Sequence, residues 1–117
     1  MSLSKKFFFI PLLAILILGF FLRSNNLNTW PRLGATFDEY AWTWLGMNLI
    51  QEKVPKSWSP HSQYTNKEHL VYQGAAFFIV EPYLEHPPVF GLVAGSFALL
   101  RGANNMLDVS LPTIRPL

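Results

Sequence analysis

Two adjacent carboxylates, Asp38 and Glu39, stand in the stretch Thr36-Phe37-Asp38-Glu39-Tyr40 and are the residue types best suited to chemistry. Neighbouring side chains on a helix point about 100° apart, so the two cannot act as a matched pair on one reacting atom. One can serve as a base while the other orients it, or one can cap the helix while the other works. A purely structural reading stands beside this. Thr36 and Glu39 fit the capping box S/T-x-x-E, and Asp38 falls in the first turn, where the helix dipole favours an anion. Under the capping reading Glu39 is partly committed to the helix, Glu39→Gln is mild because glutamine still serves the box, and Asp38 is left to face a reaction.

A second stretch, Tyr83-Leu84-Glu85-His86-Pro87-Pro88, ends in a double proline that forbids helix before it and suits the first turn of one after it. His61 and His69 lack partners at metal-ligand spacing and read as surface or packing residues. The absence of cysteine excludes disulfides and thiolate metal sites. A net charge of +2 carried by scattered basic residues gives no footprint for nucleic acid.

The elements that must position these residues read as membrane-associated. Half of the 117 residues are hydrophobic and only 14% are charged, against about 25% in an ordinary soluble domain. Mean hydropathy is positive. Lys5-Lys6 precede an uncharged run from Phe7 to Leu22 that contains Pro11, which reads as a slightly short spanning helix. A signal peptide is the rival reading, but no small-x-small cleavage site follows the run. The positive-inside rule then places residues 1–6 in the cytoplasm, 7–22 in the membrane and 23–117 outside.

Beyond a connection at 25–34 with Trp30 as a belt residue, the pattern predicts a helix over about 37–52. Ala41, Trp44, Leu45, Asn48 and Leu49 form its stripe, widened by Trp42 and Met47. Tyr40, Trp42 and Trp44 suit a helix lying at a membrane surface, and equally an amphipathic helix on a core. Residues 56–67 read as a loop. The apolar segment 70–80, interrupted by Gln73-Gly74, fits a hairpin or a short buried helix. Pro87-Pro88 suits a helix start, and the uncharged run from Val89 to Leu100, with Gly91, Gly95 and Ser96, predicts a close-packing helix over about 87–101. No terminal element is predicted after Met106.

The order of these features resembles the N-terminal end of the polytopic GT-C glycosyltransferases, most nearly the bacterial aminoarabinose transferases and protein O-mannosyltransferase-like enzymes. The residues that carry it are Phe37-Asp38-Glu39 opening a helix, Tyr83-x-Glu85-His86-Pro87-Pro88, Arg101-Gly102-Ala103-Asn104-Asn105 and Arg115. The resemblance implies a mainly α membrane-protein fragment. It would have one N-terminal transmembrane helix and an extracytoplasmic first loop with two juxtamembrane helices, ending where a second spanning helix would start. It further implies a polyprenyl- or dolichyl-phosphate sugar as donor and a hydroxyl acceptor. Asp38 would be the catalytic carboxylate, supported by Glu39. Tyr83, His86 and Arg115 would lie near the donor phosphate, and Glu85 would help to hold a divalent metal ion. The chain departs from the family at Ala41-Trp42, where an arginine is expected, at His86, where lysine is common, and in the longer segment 54–80. On this reading the chain alone is an incomplete, inactive part of the enzyme. The alternative is a single-pass anchored protein whose outer domain binds a partner or lipid.

Overall fold

Aromatic residues decide where the core sits. The structure, a computed structural model, describes residues 3–26 and 37–115, except for the side chains of 3–8. Helix α2 (Phe37–Gln51) sends Tyr40 and Trp44 into a cluster with Phe77, where ring centroids lie 5.5 Å (Tyr40–Trp44) and 4.9 Å (Trp44–Phe77) apart. Phe37, Trp58 and Tyr72 close the cluster from its edges. Spacings of this kind are favourable for edge-on and tilted ring pairs.

The partner of α2 on this side is a three-stranded antiparallel sheet of order β1-β3-β2: β1 (Ser57–Trp58), β2 (Lys67–Tyr72) and β3 (Ala75–Val80). Tyr72 pairs with Ala75 across a two-residue turn, Gln73-Gly74, with φ values of 48° and 80°. Two successive positive φ values match the twist of a hairpin, and Gly74 supplies the second without a Cβ penalty. Of the two readings left open for 70–80, the hairpin is the observed one.

On its opposite side α2 packs against α3 (Pro88–Leu100). The crossing is backbone to backbone: a Cβ at Gly46 would lie 1.7 Å from the carbonyl oxygen of Gly91, and one at Gly95 would lie 2.4 Å from the Met47 nitrogen. Helix α2 is thus covered on two sides, and a continuous run from Tyr40 to Asn48 is buried apart from Trp42. Tyr40 and Trp44 are core residues here. After Asn105, a 3₁₀ turn (Met106–Asp108) and a short α4 (Leu111–Ile114) fold back onto α2 in a tail for which no structure was expected.

Two expectations are overturned. The fold is not mainly α, because segments 57–58, 67–72 and 75–80 form a sheet. Nor does the expected spanning helix stand: among the described residues no helix is long and apolar enough to cross a membrane. Helix α1 (Leu3–Ser24) does form over the N-terminal run. Its uncharged stretch, Phe7 to Leu22, amounts to about 24 Å at 1.5 Å per residue, short of the roughly 30 Å hydrocarbon layer. The remaining turns carry Lys5, Lys6 and Arg23, and Pro11 lies well inside the helix, where it removes a backbone donor.

Candidate active site

Asp38 and Glu39 occupy the first turn of α2 and do different things. Glu39 receives hydrogen bonds from Arg115, at 3.1 and 3.2 Å from Nε and 2.8 Å from Nη2. Arg115 directly follows α4, which packs against α2 and α3, and only 5% of its surface is exposed. A buried guanidinium held in this forked way is strongly dependent on its carboxylate. The expected capping partner, Thr36, lies outside the described residues. Asp38 is exposed, and among the described residues its carboxylate has no hydrogen-bond or ion-pair partner.

Tyr83 brings the second stretch to Asp38. It sits, buried, in a small cluster with Leu45 and Val80. Burial pushes its phenol well above the ordinary range, and the nearby charges of Glu85 and Asp38 push it further. Both carboxylates therefore lie within electrostatic reach of one neutral phenol. His86 lies between the rings of Trp42 and Tyr83, 6.0 and 6.1 Å from each. Trp42 stands one helical turn beyond Asp38, on the same side of α2.

Trp42 and His86 line a cleft of about 490 Å³ together with Pro87, Val89, Phe90 and Val93. Its walls are apolar, and His86 is its polar group, a size and character suited to part of a lipid or an aromatic ligand. A larger depression of about 580 Å³ lies elsewhere, by Lys56, Lys67, Glu68 and Glu81. There the cations are already engaged: Lys56 faces Glu68 at 4.0 Å, and Lys67 donates to the His61 carbonyl.

Glu85 is more enclosed. It accepts a hydrogen bond from the Ser59 hydroxyl, and its other oxygen lies 3.6 Å from His61 Nε2. Among the described residues no group of three His, Asp or Glu side chains could hold a metal ion. His69 packs its ring against Phe78 at 5.4 Å.

Of the residues singled out from sequence, the fold thus brings Asp38, Tyr83, Glu85 and His86 into one neighbourhood, in which His86 alone of the four lines the cleft. It takes Glu39 and Arg115 out of that group as partners of each other. Trp42 as a cleft wall and Ser59 as a contact of Glu85 were not foreseen. Nothing in Ser57-Trp58-Ser59-Pro60 marks Ser59 in advance, since its partner is 26 residues away. Comparison with known proteins finds no matching family model, no similar curated protein and no similar solved structure.

Proposed function

We propose that this chain is part of a membrane-associated glycosyltransferase that moves a sugar from a polyprenyl-phosphate donor to a hydroxyl acceptor, with Asp38 as its catalytic carboxylate. The observation that carries the reading is the division of labour in the first turn of α2. Glu39 is held by Arg115, while Asp38 is exposed beside Tyr83 and one turn from Trp42. Asp38 stands exposed in the first turn of α2, where a carboxylate can accept a proton from an acceptor hydroxyl.

The chemistry assigns a role to each group. The acceptor hydroxyl yields its proton to Asp38 as its oxygen bonds to the anomeric carbon. The bond from that carbon to the phosphate oxygen breaks, and the electron pair leaves with the lipid phosphate. The Tyr83 phenol, kept protonated by burial, and the imidazole of His86 are hydrogen-bond donors for the charge that develops there. The apolar walls formed by Trp42, Val89, Phe90 and Val93 suit the first isoprene units of the donor. The exposed apolar side chains of α1, from Phe9 to Leu22, support a place at a membrane.

A second reading, a lipid- or partner-binding domain without catalysis, is favoured by the exposed apolar residues Val89, Phe90 and Val93 of α3. One substitution separates the two. In the enzyme carrying this segment, Asp38→Asn is expected to lower transfer from a polyprenyl-phosphate sugar by about 10²–10⁴-fold while leaving donor-lipid binding in place. Transfer at the wild-type rate would remove the catalytic reading and leave the binding one.

A further inference from the structure

We propose that Ser59 is a positioning residue for this site: it fixes the Glu85 carboxylate, and through it the turn that carries His86, without touching substrate. The inference rests on the glycosyltransferase reading given above.

Ser59 is fully buried and is held from three directions. Its backbone N–H donates to the Phe78 carbonyl at 2.9 Å, which continues the pairing of β1 with β3. Its hydroxyl donates to Glu85 Oε1 and accepts from the His61 backbone N–H at 3.1 Å. A hydroxyl has one proton to give, and here it is given to Glu85. Because the His61 N–H can only donate, the Ser59 proton is left for Glu85.

The placement gives the bond its consequence. The sheet whose strand β1 Ser59 directly follows packs on α2, whereas Glu85 precedes His86 and Pro87, which lead into α3 and line the cleft. The Ser59–Glu85 bond is thus a side-chain tie between the sheet and the turn at the mouth of the cleft. Glu85 also bears on Tyr83 together with Asp38. Releasing it would let a carboxylate shift beside the phenol and the imidazole that are to meet the leaving phosphate. A displacement of this kind, about 1 Å, can cost on the order of 10²-fold in rate.

The test is a set of variants in the enzyme carrying this segment, assayed for transfer from a polyprenyl-phosphate sugar and for thermal unfolding. Ser59→Ala is expected to lower kcat by up to about 10²-fold, with little change in the KM for acceptor. Ser59→Cys fills the space but offers only a weak donor. It should lose a similar factor at a near-native melting temperature, and it keeps the test valid if Ser59→Ala fails to fold. In a Glu85→Gln background, neither substitution should lower the rate further. Wild-type kcat in Ser59→Cys, or an equal loss in the Glu85→Gln background, would overturn the assignment. Failure of the underlying reading has a different signature: Asp38→Asn would then transfer normally.

Discussion

Arg115 and Glu39 lie 76 residues apart in sequence and meet as a forked ion pair at the start of α2. Replacing Glu39 leaves a buried guanidinium with poorer company, so Glu39→Gln is expected to destabilise the fold by about 2 kcal/mol. Denaturant unfolding measures this directly. The capping box alone predicts a mild effect for the same substitution, because glutamine still caps a helix. Arg115 reverses that expectation. The two buried tyrosines make a second statement at this scale. Burial pushes Tyr40 from 10.0 up to about 12 and drives Tyr83 upward as well. Unfolded phenols ionise from about pH 10, whereas these stay protonated. Stability is therefore complete below pH 10 and falls as the pH rises through 10–12, by up to about 1.4 kcal/mol per pH unit for each phenol. Unfolding measured between pH 8 and 12 should show this slope, and Tyr40→Phe should reduce it by about half, leaving the Tyr83 contribution.

Helix α2 is the element on which both layers rest. Its contact with α3 depends on bare backbone at Gly46, where a methyl group would meet the Gly91 carbonyl oxygen at 1.7 Å. Neither helix can yield without disturbing the aromatic cluster behind α2. Gly46→Ala is therefore expected to cost about 3 kcal/mol or more, read as loss of cooperative unfolding or a sharply lowered melting temperature. The helices were legible in the sequence because a capping pattern and a double proline mark their starts. The sheet was only partly so. Gln73-Gly74 signals a turn, but Ala75 to Val80 contains no polar residue, so no alternation distinguishes a strand from a buried helix. The two residues of β1 carry no signal of their own. Burial of α2 on two sides likewise hides which of its aromatic residues face inward.

At the scale of the whole molecule, the site joins residues from α2 and from the turn before α3, about 45 positions apart. Asp38 and Trp42 come from α2 and Tyr83 to Pro87 from the turn before α3, while Arg115 in the tail holds the neighbouring Glu39. The sequence supplied these residue types but could not say that Glu39 would be withdrawn by an arginine from the far end. Short spacing carries no information about a contact across 76 positions. Helix α1 stands apart from this assembly and has no packed partner among the described elements. Removing residues 1–26 is expected to leave the thermal unfolding of the remainder nearly unchanged. It should also sharply reduce co-flotation with lipid vesicles, which measures the contribution of α1 to a place at the membrane. The central claim is that adjacent carboxylates divide catalysis and structure between them. Its most direct measurement is transfer rate and melting temperature, taken together, for Asp38→Asn and Glu39→Gln in the enzyme carrying this segment. Asp38→Asn should lose about 10²–10⁴-fold in rate at a near-native melting temperature, and Glu39→Gln should melt several degrees lower. Near-normal transfer by Asp38→Asn would contradict the account.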